Sequence, residues 1–251
     1  MTQSFSDRRN IPVPWSIGEA LGGAGLAYVV ETMRRFLMPR LLLEPLLALA
    51  TTPYTWLNDW LSASLPPRYL FNVFLHVVRV SPYVLVVALV LWYIVFRKHQ
   101  GSWETLRLQR AHALTHIALG ATVAVATVVA FRVLGSMATG NSFLTSAPDR
   151  PTPFAIVSDA LFHALPFASA HQLLLVGLVY QTLRQRLPFS VSSLITALLF
   201  AGWYFPAESF MLRVPPSVIL GFISVLLLEK RGSLIPGISF YTVYNVLARS
   251  L

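Results

Sequence analysis

The chain has 251 residues, of which 55% are hydrophobic and 12% are charged, with a mean hydropathy of +0.63. Soluble globular domains carry about 25% charged residues, so this composition excludes a soluble domain and predicts an integral membrane protein in contact with the lipid bilayer. The absence of cysteine excludes disulfides, thiolate metal sites and cysteine nucleophiles, and the net charge of +9 is carried by basic residues at the ends of apolar runs, which indicates membrane orientation and no nucleic-acid partner.

The first eighty residues mix apolar stretches with charges and prolines. They show no short apolar core followed by a small-residue cleavage site, so we expect no removable signal peptide. Charges at this density are costly in the middle of a bilayer. We therefore predict that residues 1–80 form an N-terminal extension of amphipathic interfacial helices or a re-entrant hairpin. The charges concerned are Glu31, Arg34, Arg35, Arg40, Glu44 and Asp59, with Tyr54, Trp56 and Trp60 expected at headgroup depth.

Long apolar segments after residue 80 predict spanning helices. Residues 82–96 reach the ~20 residues of a span only if part of the preceding sequence joins them, and this span ends at Arg97 and Lys98. Residues 111–131 form the next predicted span. Residues 154–182 form a longer predicted helix.

Three shorter helices are predicted after this long helix, which Pro166 can kink. They lie in "PFSVSSLITALLFAGWYF", "VPPSVILGFISVLLL" and "SLIPGISFYTVYNVLA", and the short turns between them predict antiparallel neighbours. The predicted fold class is therefore all-α, with residues 81–251 forming a polytopic transmembrane bundle of about six to eight helices.

Basic residues in the connecting loops predict the orientation of these helices. Cytoplasmic loops carry an excess of lysine and arginine. We therefore place the loops with several basic residues in the cytoplasm and the C-terminus outside, and we expect a bacterial cytoplasmic membrane. The cytoplasmic set is Arg97, Lys98, Arg107, Arg110, Arg184, Arg186, Lys230 and Arg231, and the opposite loops hold Arg132, Arg150 and Arg213.

Three segments in the C-terminal half carry a chemical signal: "HQLLLVGLVYQTLRQR", "LLFAGWYF" and "GSLIPGISFYTVYNVLA". In order and spacing they resemble the conserved segments of the CAAX protease and bacteriocin-processing family of intramembrane peptidases. That family carries Glu-Glu, three residues, then Arg and often Gly; then Phe, three residues, His; and last His, three residues, Asn or Asp. The resemblance covers residues 154–251 and implies a peptidase-like core there.

The first segment keeps the residue spacing of the family's motif but lacks its glutamates and its arginine. The resemblance places the family's two glutamates at His171 and Gln172 and its arginine at Val176, while the glycine is retained as Gly177. The pair that would activate water is therefore replaced.

The second and third segments are altered in the same way. The phenylalanine of the second segment matches Phe200, and its histidine falls on Tyr204. The histidine of the third segment falls on Tyr241, whereas its asparagine is retained as Asn245. Both family histidines are thus replaced by tyrosine.

These replacements remove the chemistry that the resemblance implies. In the family a buried glutamate is thought to activate a water, which needs a base that accepts a proton near neutral pH. Gln172 cannot accept one, and tyrosines, with reference pKa values near ~10, are poor bases. One histidine with tyrosine and asparagine does not make an adequate zinc site, so we predict no catalytic residue and no metal here. The favoured interpretation is a polar cluster that holds helices together.

Other histidines lie on predicted spans. His112 and His116 are one turn apart and share a face with Gly120 and Ala124, small residues that let another helix approach closely. Two histidines at this spacing can bind a metal, and a transmembrane histidine can ligate haem or a chlorophyll-type pigment. We favour interhelical contacts and expect no resident cofactor.

The same spacing recurs at Asp159 and His163 on the long predicted helix, and His76 precedes the first clear span. His163 is a further possible cofactor ligand. The alternative is again that these groups make contacts between helices.

Three functional interpretations follow. The favoured one is a non-catalytic CAAX-protease-like membrane protein that acts as a subunit, assembly factor or binding partner of another membrane protein. The extension outside the peptidase-like core supports it, together with the close-packing run Gly22, Gly23 and Gly25. The second is a divergent intramembrane peptidase that uses His171 as its base. The third is a haem- or pigment-binding subunit using His112, His116, His163 or His171.

Overall fold

The computed structural model describes residues 13–38, 65–109, 112–139, 153–203 and 210–250. Within these ranges the chain forms seven helices and no strand. The prediction of an all-α membrane protein with about six to eight helices is confirmed.

The helices follow one another with short connections where the structure describes them. α2 consists of an α-helical part, Leu65–Leu91, and a π-helical continuation, Trp92–Lys98. The other helices are α1 (Ile17–Met38), α3 (Ala113–Thr139), α4 (Pro153–Arg184), α5 (Phe189–Gly202), α6 (Phe210–Arg231) and α7 (Ile235–Ser250).

Three helical stretches are long and apolar enough to cross a bilayer: His76–Lys98, Ala113–Met137 and Pro153–Arg184. The stretch His76–Lys98 begins before Pro82, which lies inside α2. Part of the sequence that precedes residue 82 therefore joins this span, as its length requires. The span also ends at Lys98, where the basic residues predict it.

Helix α4 is irregular along its length. It contains two π-helical stretches, Ala160–Ala164 and Gln172–Tyr180, and Pro166 lies in the α-helical segment Leu165–His171 between them. π-helical turns in an α-helix are rare and are frequently found at functional sites. The second stretch begins at Gln172, immediately after His171.

The second π-helical stretch also forms the centre of the core. Leu174, Leu175, Val176, Leu178 and Val179 are completely buried. A helical segment that is hydrophobic on every side must be covered on every side. This segment packs against α1, α2, α5 and α6. The first of the three segments that resemble the peptidase family, which begins at His171, is therefore at the middle of the bundle.

Helices α3 and α7 pack with their backbones in contact. A Cβ atom added to Gly120 would lie 2.2 Å from the backbone oxygen of Pro236. Ser239 Oγ donates a hydrogen bond to the backbone oxygen of Ile117 at 2.8 Å, and Ala124 is fully buried. The small residues of α3 therefore face α7, as close packing of membrane helices requires.

Helix α1 packs against the core through one face. Ala20, Ala24 and Ala27 are buried, and a Cβ atom on Gly23 would lie 2.6 Å from the side chain of Val90 in α2. The predicted division at residue 80 falls inside α2. Residues 39–64 lie outside the described residues, and with them Arg40, Glu44, Asp59 and the predicted headgroup aromatics Tyr54, Trp56 and Trp60. The predicted division therefore stays a prediction.

Basic ends of α2 and α4 gather at one end of the bundle. Lys98 Nζ lies 2.5 Å from Glu19 Oε1 at the start of α1. This contact, together with the backbone N–H of Ser16, lowers the pKa of the Glu19 carboxyl to about 2. At the same end Arg184 Nε lies 3.4 Å from Glu229 Oε1 in α6. The placement of this end in the cytoplasm stays a prediction.

Candidate functional site

His171 lies at the centre of the bundle and is completely buried. Its Nδ1 atom is 3.1 Å from the hydroxyl of Tyr83 in α2. A phenol is a hydrogen-bond donor to a neutral imidazole nitrogen. This contact joins α4 to α2 at the start of the first segment that resembles the peptidase family.

Aromatic rings enclose the His171 imidazole. Phe167 and Tyr241 stack nearly parallel to it, with centroid distances of 5.5 and 5.4 Å. Phe200 and Trp203 meet it nearly edge to face, at 4.6 and 5.0 Å. These separations are those of close-packed aromatic pairs, so the imidazole has ring partners from α4, α5 and α7 and the residue after α5.

Gln172 is completely buried on the neighbouring side of α4. Its Nε2 donates to Ser224 Oγ in α6 at 2.8 Å. Its Oε1 has no hydrogen-bond donor among the described residues and lies 2.9 Å from where a Cβ atom on Gly237 would stand. The amide therefore fits closely between α6 and α7, at a point where α7 carries no side chain.

The other positions that the resemblance assigns to the family's motifs are distributed around this pair. Val176 is a fully buried core residue, and Tyr241 is 1% exposed. Asn245 is half-buried, and its Nδ2 donates to the backbone oxygen of Tyr241 in its own helix at 2.7 Å. Tyr204 lies outside the described residues. The structure thus brings His171, Phe200 and Tyr241 together, whereas the hydrogen bond of Asn245 remains within α7.

Acidic groups are scarce in the interior. Among the described residues the buried acidic side chain is Glu31, and it forms a 2.6 Å ion pair with Arg34 on its own helix. The contacts described for His171 and Gln172 therefore include no carboxylate that could act as a base. The arrangement can bind helices to one another but offers a poor set of groups for activating water.

The remaining predicted residues lie elsewhere. His112 is exposed, with a left-handed φ of 59°, and His116 is half-buried on α3. His163 lies with Asp159 and His76 near the other end of the bundle, with His163 Nδ1 3.2 Å from Asp159 Oδ1. His163 is therefore grouped with acidic and imidazole side chains, and His171 with aromatic rings.

Sequence reasoning missed four partners of the central pair: Tyr83, Phe167, Trp203 and Ser224. Tyr83 is 88 positions before His171 and Ser224 is 52 positions after Gln172. No local spacing connects residues so far apart. Phe167 is one turn before His171 on α4 and could have been found from its i,i+4 spacing.

Comparison with known proteins identifies the C-terminal region. Residues 152–247 match the family described as Type II CAAX prenyl endopeptidase Rce1-like. The predicted resemblance is confirmed for this region, which contains α4 to α7 up to residue 247. No curated protein and no solved structure gives a significant match to the chain.

Proposed function

We propose that this CAAX-protease-like membrane protein is non-catalytic and acts as a subunit, assembly factor or binding partner of another membrane protein. Its proposed location is the cytoplasmic membrane of a bacterium. The observation that carries the proposal is the environment of His171 and Gln172, which occupy the positions of the family's glutamate pair.

The central pair lacks both the groups and the access that peptide hydrolysis needs. A peptidase must bring a water and a peptide carbonyl within hydrogen-bond reach of its base. The His171 imidazole is instead surrounded by ring centroids at 4.6 to 5.5 Å. Gln172 has no ionisable proton acceptor. These features support a site that no longer hydrolyses peptides.

The same groups make contacts between helices. Tyr83 joins α2 to α4 through His171, and Ser224 joins α6 to α4 through Gln172. Hydrogen bonds of this kind between membrane helices are worth about 0.6 kcal/mol each on average. Their position supports a scaffold role for the residues that replaced the catalytic groups.

An exposed face of α1, which lies outside the family-matching region, supports the proposed partner role. Gly22 and Gly25 are exposed, and a Cβ atom on either would meet no described atom within 4 Å. Leu21, Leu26 and Val29 are exposed beside them. Glycines flanked by large apolar residues let the backbone of a second helix approach closely. A transmembrane helix of the partner is the proposed occupant of this face.

Hydrolysis provides the first test. Purified protein and its His171→Ala variant are incubated with membrane-embedded peptides, including peptides that end in a prenylated cysteine motif, and cleavage is measured by mass spectrometry. We expect no cleavage in either sample. Cleavage that is abolished in His171→Ala but kept in the control His116→Ala would contradict the proposal.

The α1 face provides the second test. The double variant G22L/G25L is expected to fold and to lose the partner in co-purification, because an added Cβ atom at either position meets no described atom within 4 Å, whereas a large side chain blocks the approach of another helix. The control is Gly135→Leu on α3, where a Cβ atom also meets nothing within 4 Å. Retention of the partner by G22L/G25L would exclude α1 as its binding face.

A further inference from the structure

Three metal-ligating side chains converge near one end of the bundle, away from the central pair. His163 Nδ1 lies 3.2 Å from Asp159 Oδ1, and His76 Nδ1 lies 3.8 Å from the same oxygen. The three ligand atoms are all within 4.8 Å of one another. We call His76, Asp159 and His163 the His-Asp triad.

Two parallel helices build the triad. Asp159 and His163 are one turn apart on α4: Asp159 immediately precedes its first π-helical stretch, Ala160–Ala164, and His163 lies within that stretch. His76 belongs to α2, which runs in the same direction, because contacts progress from His76–His163 to Tyr83–His171 along both helices. The packing of α2 on α4 therefore fixes the triad's geometry.

The distances are close to those of a zinc site. Zinc bound to nitrogen or oxygen at about 2.1 Å in a tetrahedron holds its ligand atoms about 3.4 Å apart. The separations from Asp159 Oδ1 to the two imidazole nitrogens, 3.2 and 3.8 Å, lie on either side of this value, and all three ligand atoms lie within 4.8 Å of one another. Small side-chain rotations would therefore bring the three atoms into coordination distance.

The donor types and the burial also fit a metal. Imidazole suits zinc, copper, iron and nickel, and a carboxylate completes a common three-ligand set. The side chains of His76, Asp159 and His163 are 25%, 15% and 18% exposed. The three side chains are thus mostly buried, which restricts their motion, but each keeps some solvent exposure through which an ion could enter.

We propose that the His-Asp triad binds one Zn²⁺ ion, with His76 Nδ1, Asp159 Oδ1 and His163 Nδ1 as protein ligands and water in the fourth position. The ion would connect α2 to α4. The triad contains none of the family-equivalent positions, so this proposal does not depend on the absence of peptidase activity.

Zinc titration of the full chain in detergent tests the proposal. The protein is stripped with a chelator and titrated with ZnCl₂ in competition with a fluorescent zinc indicator, and its metal content is measured by mass spectrometry. We expect one Zn²⁺ per chain and a rise in melting temperature with zinc, since an ion that binds the folded state stabilises it.

Variants identify the ligands. His76→Gln, Asp159→Asn and His163→Gln are each expected to weaken zinc binding by more than about tenfold, an effect that loss even of an outer-shell partner can produce. The control is His116→Gln, because His116 Nδ1 has no hydrogen-bond partner among the described residues. We expect this variant to bind zinc as the wild type does.

The melting temperature without zinc separates ligand loss from misfolding. A triad variant that melts in chelator like the stripped wild type, yet shows no rise with zinc, supports the proposal. The proposal is overturned if the wild type binds no stoichiometric zinc, if Asp159→Asn and His163→Gln keep wild-type affinity, or if His116→Gln loses affinity equally.

Discussion

Replacing Gly120 with alanine is expected to weaken the contact between α3 and α7. The added Cβ atom would stand 2.2 Å from the backbone oxygen of Pro236, whereas real Cβ atoms essentially never approach another atom within 3.0 Å. The two backbones must therefore separate by about 0.8 Å at this point, the difference between these two distances. Overpacking of this kind typically costs about 1–3 kcal/mol.

A matched glycine on the same helix isolates this cost. Alanine is favoured over glycine in a helix by about 1 kcal/mol, and Gly135→Ala makes the same chemical change where a Cβ atom meets nothing within 4 Å. The difference in unfolding free energy between the two variants therefore reports the clash alone. In a chain of this size each 1 kcal/mol changes the melting temperature by roughly 2–4 °C.

Tryptophan fluorescence during heating in detergent measures the difference. We expect Gly120→Ala to melt several degrees below Gly135→Ala. Separation of the helices should also strain the bond from Ser239 Oγ to the backbone oxygen of Ile117. Equal melting temperatures for the two variants would refute the direct backbone contact.

Further predictions concern the charged end, the central pair and the cofactor. Because the pKa of Glu19 is lowered to about 2, mainly by Lys98, its contribution to stability is complete above its unfolded pKa near 4.5 and is lost as pH falls toward 2. Glu19→Gln should therefore be less stable than the wild type at pH 7, with a smaller loss on acidification; parallel pH profiles would contradict this. Tyr83→Phe removes the hydroxyl near His171 Nδ1 and should destabilise the fold by about 0.6 kcal/mol, the average for a hydrogen bond between membrane helices, measured by thermal unfolding. Finally, protein purified from its own membranes should show no visible absorption, whereas a haem or pigment band lost in His171→Ala would support a cofactor subunit.

The sequence predicts the spans better than their internal geometry. The span that ends at Lys98 is an example. Its apolar length and the basic residues at its end predict it, because a bilayer imposes a minimum apolar length, and the structure contains it within α2. The two π-helical stretches of α4 were not predicted. They depend on how the buried segment after His171 packs against four other helices, which periodicity does not encode.

The candidate site was predicted in part. The motif spacing identifies His171, Phe200 and Tyr241, which the structure brings together. The contact with Tyr83 could not be predicted, because it depends on the register between α2 and α4. The same register brings His76 to the i,i+4 pair Asp159 and His163, so the sequence indicates two members of the triad but not the third.

Native mass spectrometry of the protein purified from its own membranes in mild detergent tests the proposed function most directly. We expect a stoichiometric complex that contains this chain and another integral membrane protein, whose mass identifies it. A spectrum that contains this chain alone, as a monomer or a homo-oligomer, would contradict the proposed role as a binding partner.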